Sequence, residues 1–383
     1  MVRSRLDPTK RVLHITEAMG GGVASALFDY LRSTPELEHH LLYVSRAETS
    51  ALGAQWKELF TSVQELPQGQ LNRIRKVRSR IKELKPGVVH SHSSFAGFYA
   101  RLAAAKSASL RQVHTPHCYA FERLDLKRPL RLALRLIEWT LSFNTTVLAG
   151  CSPRETALGA RRFLSPQRSY LPNLAPELPI RQQTADSVSV RTEVLRVTGA
   201  GRLGAQKDPE LFISAIQQLR QAGNRVVASW VGGGDPVLVD RLNRAGVQVT
   251  GWLPRPEALE RLADNDVYLH TAAWEGFPLA VLEASALHLA TVVRDIAAFQ
   301  GLGLPAKITE SSELPGLWEQ LRDPIFRAEL VAQTRYALRS NTRSAQRQAL
   351  LEAYAIEAES GLTGSAEPTS TEARSVAHSG GSR

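Results

Sequence analysis

Two carboxylates, Glu275 and Glu283, stand eight residues apart in the run Ala273-Trp274-Glu275-Gly276-Phe277-Pro278-Leu279-Ala280-Val281-Leu282-Glu283-Ala284. The apolar, strand-like run Val267-Tyr268-Leu269-His270 precedes them. Gly276 allows a tight backbone, and Pro278 suits the first position of a helix. Glu283 then falls in the second helical turn, roughly 8 Å further along the axis. Between the two acids lie the unpaired amides and partial positive charge of a helix N-terminus, which favour a phosphate group. A ligand with hydroxyls at both ends and a diphosphate between them fits this spacing, as a nucleotide-sugar does. Alone, the pair reads equally as a capping acid and a solvated helix residue, so its meaning rests on the segments around it.

The stretch resembles the Glu-x7-Glu motif of the retaining glycosyltransferases of family 4, flanking Glu-Gly-Phe-Pro-Leu and Glu-Ala included. That resemblance implies an α/β chain of the GT-B type: two Rossmann-like, doubly wound domains facing a central cleft. Further segments match in order. Gly201-Arg202-Leu203-Gly204-Ala205-Gln206-Lys207 carries two cations five residues apart in a Gly-containing loop. Such a pair can hold a diphosphate from two sides, Arg202 as a bidentate fork. Thr115-Pro116-His117-Cys118 is similar to the family's Thr-Pro-His-Gly, with Cys118 where Gly is usual. Val89-His90-Ser91-His92 belongs to a similar segment on the acceptor side, whereas His114 reads as a packed core residue. Gly20-Gly21-Gly22 opens the first helix of the chain without the full dinucleotide fingerprint, which argues against NAD. Val231-Gly232-Gly233-Gly234-Asp235 and Gly251-Trp252-Leu253-Pro254 resemble the loops that bracket the nucleotide base. One departure is evident: the family's Ala-x-Gly-x-Pro-Val-Val reads Ala286-Leu287-His288-Leu289-Ala290-Thr291-Val292 here. Losing that Gly and Pro is expected to change the turn and leave both acids in place.

Roles follow from the resemblance. Glu275, His117, Arg202 and Lys207 are the expected catalytic set. Gly21, Gly22, Gly233, Leu253, Gly276, Phe277, Pro278, Leu279 and Glu283 join Arg202 and Lys207 in donor binding. Gly21, His92 and His117 face the acceptor. Glu283 is expected to take the ribose hydroxyls and Glu275 the sugar. The departing diphosphate can take the acceptor's proton, so no metal and no cofactor are expected.

The elements that position these residues alternate between strand and helix, which implies parallel, helix-covered sheets. Strands are expected at 11–15, 40–44, 88–92, 113–115 and 146–152 in a first domain (1–175), with 170–173 closing it. A polar, Pro-containing linker (176–192) follows. The second domain (193–345) has strands at 194–199, 225–232, 247–251 and 267–270. A C-terminal helix (346–360) precedes a tail (361–383) rich in Ser, Gly, Thr, Ala and Glu, expected to be disordered. Ligands of such sheets bind outside the carboxyl ends of strands, where every segment above falls.

Composition narrows the class. At 383 residues the chain can bury two cores. No apolar run approaches the ~20 residues that span a bilayer, and no signal-peptide core follows Met1. Cys118 and Cys151 are the only cysteines, too few for a disulfide framework or a zinc cluster. A cytoplasmic protein is expected. The net charge of +10 is concentrated in 73–82 and 123–135. The second of these segments mixes Leu and Arg at helical spacing, which suits the inner face of an anionic membrane. A solvated basic face covering its own core fits equally. Nucleic acid is not an expected partner, because no aromatic interleaving or binding motif accompanies the charge. The expected partners are a nucleotide-sugar, with uridine as its base, and a glycan or lipid-linked acceptor in surface polysaccharide synthesis. The same fold also serves epimerases, phosphorylases and non-catalytic nucleotide-sugar-binding proteins. No lysine segment suited to a pyridoxal cofactor stands out.

Overall fold

The computed structural model describes residues 10–357, apart from residue 18 and segments 47–48, 50–51, 54, 160–164 and 177–193. The expected linker beyond residue 176 and the tail lie outside the described residues. The first half contains β1 (Arg11–Thr16), α1 (Gly21–Ser33), β2 (Glu38–Tyr43), β3 (Ser62–Glu65), α2 (Gln70–Leu84), β4 (Val88–His92), α3 (Ser94–Ala103), β5 (Arg111–Thr115), α4 (Arg128–Leu141), β6 (Val147–Gly150), α5 (Pro153–Leu158) and β7 (Gln167–Tyr170). Its strands form one parallel sheet in the order β3-β2-β1-β4-β5-β6-β7.

The second half holds β8 (Val194–Ala200), α6 (Pro209–Gln221), β9 (Arg225–Val231), α7 (Pro236–Arg244), β10 (Val247–Val249), α8 (Arg255–Ala263), β11 (Val267–His270), α9 (Leu279–Ala286), β12 (Ala290–Arg294) and β13 (Lys307–Ile308). These strands pair in parallel in the order β10-β9-β8-β11-β12-β13. Parallel strands need crossovers, and helices supply them while burying both sheet faces. Strand order reverses at β1/β4 and at β8/β11, so the loops leaving those strands open on a ligand crevice.

Some boundaries differ from the sequence reading. The edge strand β3 was not expected, because Ser-Val-Gln-Glu lacks an apolar run. Strand β7 (Gln167–Tyr170) was not expected either, and it leads into the 170–173 segment read as closing the first domain. Helix α9 starts at Leu279, leaving Pro278 as its N-cap rather than its first helical residue, so Pro278 presents no amide hydrogen there. At the departure from the family pattern, His288 adopts φ +62. That is the left-handed conformation a glycine takes freely and other residues take at about 1–2 kcal/mol. The missing glycine is therefore met by a strained residue that closes α9 and leads into β12. Cys118, also at a family glycine, does the same at φ +81.

The chain's last helices are α10 (Leu314–Leu321), α11 (Pro324–Ala337) and α12 (Arg343–Tyr354). Helix α12 packs on the first domain, not the second: Ala349, Leu350, Ala353 and Tyr354 join the core that holds Val12, Leu27, Tyr30 and Val113. Ser33 Oγ donates to Gln346 Oε1 at 2.7 Å, and Gln346 Nε2 donates to the Pro172 carbonyl at 2.8 Å. The two basic segments behave differently. In α2, Arg73 binds Glu17 and Tyr99, Arg78 caps the Ala103 carbonyl and Arg80 reaches Glu83 and Ser62, so half of the six cations of 73–82 serve their own domain through these bonds. In α4 only Leu141 is buried. No helix among the described residues is long and apolar enough to cross a membrane.

Candidate active site

The two acids of the opening motif sit where the halves of the chain meet. Glu275 leaves β11 in a loop next to the 201–208 loop that leaves β8. Lys207 Nζ is 2.5 Å from Glu275 Oε1, and Gln206 Nε2 donates to Glu275 Oε2 at 3.2 Å and to the Trp274 carbonyl at 3.1 Å. The loops are further tied by Ala273 N donating to the Gln206 carbonyl (2.9 Å) and Thr271 Oγ1 to the Lys207 carbonyl (2.8 Å). Gly201, at φ +126, allows this packing: a Cβ there would lie 2.6 Å from Lys207 Cε. Asp208 caps α6 through Leu211 N and takes an ion pair from Arg294 at 2.7 Å. Arg202 is exposed on the same loop.

The base-side loops assemble around Leu203. Its amide donates to the Gly233 carbonyl at 2.8 Å and its own carbonyl accepts from Asp235 N at 3.2 Å. Gly233 faces Trp252, whose ring a Cβ would meet at 3.3 Å, which sets Leu253 beside the same loops. Glu283 is half-buried on α9, and desolvation raises its carboxyl above the usual carboxylate range. Arg255 answers that burial, with Nη2 3.0 Å from Glu283 Oε1. Its other nitrogen donates to Ser25 Oγ of α1 at 2.7 Å, bridging the two domains. Arg255 was not singled out from the sequence; a lone Arg after Pro254 carries no local signal.

The first domain meets this site through backbone. A Cβ on Gly276 would lie 2.6 Å from Cys118 N and 3.0 Å from the His117 carbonyl carbon. Gly22 lies against Leu279, 3.6 Å from a built Cβ, and Gly21 takes φ +53 at the start of α1. Phe277 is buried, and its carbonyl accepts from Asn173 Nδ2 at 3.1 Å. The 117–118 turn is held from behind by Glu155, whose carboxylate accepts from Cys118 N (2.6 Å) and Cys151 N (2.8 Å). Ser152-x-x-Glu155 reads as a capping box, and Ser152 does accept from Glu155 N. The glutamate itself turns outward to the other strand's loop, which no local pattern foretells. His92 lies 3.3 Å from His117, ring nitrogen to ring nitrogen. His114 is in the core, as expected, bonded to Ser91.

Two family models match the chain, Glycosyltransferase Family 4 over residues 20–166 and Glycosyl transferases group 1 over residues 195–306. The chain belongs to the family 4 type of glycosyltransferase. The transferase is 26% identical over 233 residues to the Escherichia coli UDP-Gal:alpha-D-GlcNAc-diphosphoundecaprenol alpha-1,3-galactosyltransferase, spanning 56% of this chain and 59% of that one. It is 23% identical over 296 residues to an uncharacterised 41.2 kDa Klebsiella pneumoniae protein of the cps region, spanning 75% and 81%. Among solved structures, Anabaena HepE with UDP-glucose superposes with a TM-score of 0.70 at 17% identity, covering 90% of this chain and all of that one. A Thermosynechococcus elongatus sucrose-phosphate synthase also gives 0.70, at 15% identity and over 90% and 98% of the two chains. These structures establish the GT-B fold for the transferase.

Two expectations follow from this geometry. Gly276→Ala forces its methyl into the 117–118 backbone, which cannot yield as a flexible side chain does. The transferase should keep its circular dichroism spectrum and lose about a hundredfold in kcat/KM, the scale of a misplacement of about 1 Å. The second concerns pH. Burial first, and then the repulsion that a second charge among neighbouring rings would meet, holds His14, His90 and His92 well below the ordinary 6.5; burial also lowers His39, and His117 to about 4. The unfolded chain therefore binds protons below pH 6.5 that the folded chain refuses. Stability should fall as pH drops from about 6.5 toward 4, by up to about 1.4 kcal/mol per pH unit for each neutral histidine. Urea denaturation of the first domain across that window reads it; a flat profile contradicts the assignment.

Proposed function

We propose that the enzyme moves a hexosyl unit from a UDP-sugar to a lipid-linked sugar of surface polysaccharide synthesis, with retention and without a metal. One observation carries the reading: Lys207, Glu275, the start of α9 and the 117–118 turn converge where the strand ends of both sheets meet. Lys207 and Glu275 neutralise each other. A bound nucleotide-sugar offers each a new partner, its diphosphate to Lys207 and its sugar hydroxyls to Glu275. Arg202 and the amides of Gly276, Phe277 and Leu279 then stabilise charge on the departing phosphate, where preorganised dipoles contribute most. The sugar–phosphate bond breaks, the acceptor oxygen bonds to the same carbon, and the acceptor's proton passes to the departing phosphate oxygen. Ribose hydroxyls share Glu283 with Arg255, so donor binding is coupled to the Ser25 bridge between the domains. The E. coli relative, named for UDP-Gal and a diphosphoundecaprenol-linked acceptor, supports this substrate class.

The acceptor's lipid gives a use to the exposed face of α4. Leu132, Leu136 and Trp139 are 67%, 62% and 50% exposed there. Arg128, Arg131, Arg135 and Arg154 line an adjoining depression of about 260 Å³. Apolar side chains flanked by arginines suit an anionic bilayer surface.

Transfer from UDP-galactose and UDP-glucose to a synthetic diphospholipid-linked N-acetylglucosamine tests the first part. The full chain should be active in excess EDTA, and Arg202→Ala and Glu275→Gln should each cost about 10²-fold or more, the scale of a lost transition-state donor. No UDP-sugar raising the melting temperature at 100 times a micromolar concentration, where about 2.7 kcal/mol of stabilisation is expected, overturns the donor assignment; EDTA inhibition overturns the metal-free reading. Sedimentation with phosphatidylglycerol vesicles tests the surface. The chain should bind at low salt and Leu132→Glu/Trp139→Glu should release it, whereas equal recovery in the supernatant for both rejects membrane docking.

A further inference from the structure

Four histidines form a continuous chain of ring-to-ring hydrogen bonds that crosses the first sheet sideways and ends at the site. Register explains why they meet. His14 of β1 pairs with His90 of β4, His92 lies two residues along on the same face, and His39 of β2 pairs with Val12, which shares the face of His14. His117 follows β5, next to β4. The links are His39 Nε2 to the Thr34 carbonyl at 2.9 Å and His14 Nε2 to His39 Nδ1 at 2.9 Å. His14 Nδ1 to His92 Nε2 spans 3.0 Å, and His92 Nδ1 to His117 Nε2 spans 3.3 Å.

The first link decides all the others. A carbonyl oxygen can only accept, so His39 carries its proton on Nε2. A neutral ring has one proton, so His39 Nδ1 is a lone pair and must accept from His14 Nε2. The same step repeats through His14 and His92 to His117, which donates from Nε2. Burial keeps every member below its ordinary titration range, so no second proton relaxes the rule. His117 Nδ1 is left as a lone pair with no partner among the described residues. A proton cannot run out along this chain, because the far end is a carbonyl that cannot take one.

We infer that His39, His14 and His92 are positioning residues that hold His117 in the Nε2–H tautomer, so that it meets the ligand as a hydrogen-bond acceptor for a hydroxyl and not as a donor to phosphate. The role of His117 toward a ligand rests on the proposed function; its tautomer does not. A metal is the competing use of these rings, since nitrogens of His14, His90 and His92 lie within 4.8 Å of one another. Hydrogen bonds account for them instead: His90 Nδ1 lies 2.8 Å from Tyr354 OH and its Nε2 2.8 Å from Thr115 Oγ1.

Long-range proton–nitrogen correlation on the full chain, labelled at histidine and free of donor, reads the protonated nitrogen of each ring. Nε2–H is expected at residues 39, 14, 92 and 117 at neutral pH. An Nδ1–H or doubly protonated His117, or a stoichiometric metal in the purified chain, overturns the inference. His39→Leu removes the carbonyl anchor, after which the remaining three rings can reverse their polarity together with no bond lost. A second, Nδ1–H signal should then appear at His117, and kcat/KM should fall by about two- to tenfold, the range of one hydrogen bond. An unchanged His117 signal in the folded variant refutes the clamp. If that variant does not fold, the unsubstituted chain's spectrum still decides. Correct tautomers in a chain that transfers nothing would count against the proposed function alone.

Discussion

The site depends on one close approach, that of Gly276 to the peptide joining His117 and Cys118. No side chain fits between them, so the two domains touch backbone to backbone at the point where both sheets end. Everything nearby is arranged to hold that contact. Glu155 pins the 117–118 turn from the first domain with a buried carboxylate, and Asn173 holds the Phe277 carbonyl from the same side. Cys151 packs into the apolar cluster of Phe277, Leu279 and Phe299, which continues the second domain's core across the boundary. The left-handed backbone at His117 and Cys118 is strain that these partners over-determine, as functional turns commonly show.

Charge at the cleft is kept in matched pairs. Lys207 with Glu275, Arg255 with Glu283 and Arg294 with Asp208 each leave little net charge exposed. Partly buried ions left alone carry a desolvation cost of several kcal/mol, and removing one partner exposes the other to it. Under the proposed function a nucleotide-sugar binds by exchanging partners rather than by meeting a bare charge. The pairs also make the cleft sensitive to domain position, because Arg255 reaches Glu283 within its own domain and Ser25 in the other.

Much of this was legible in the chain. Loops that follow strands and carry Gly, Arg and Lys follow from local backbone chemistry and fall where expected, and the helix of the Glu-x7-Glu segment starts one residue past the expected Pro278. Strand–helix alternation was enough to place two parallel sheets. Less legible were elements whose reason is tertiary. β3 is a short polar edge strand, held by pairing with β2. Helix α12, read from the sequence as a separate C-terminal helix at 346–360, runs Arg343–Tyr354 and is held on the first domain by Gln346 and Tyr354. Of the basic segments, α2 turned out to spend its arginines on its own domain, which spacing could not distinguish from the exposed face of α4.

The amino-acid order by itself determined which residue types lie at strand ends, since periodicity and turn chemistry act over a few neighbours. It determined the acids, cations and glycines of the cleft in that way. Only the tertiary structure decided their partners: Lys207 for Glu275, Arg255 for Glu283, Glu155 for a turn 37 residues away, and a line of histidines drawn from β2, β1, β4 and the loop after β5. Such pairings depend on strand order and register across a sheet, which no local pattern encodes, because hydrogen bonds and ion pairs form between whatever the fold brings within about 3 Å.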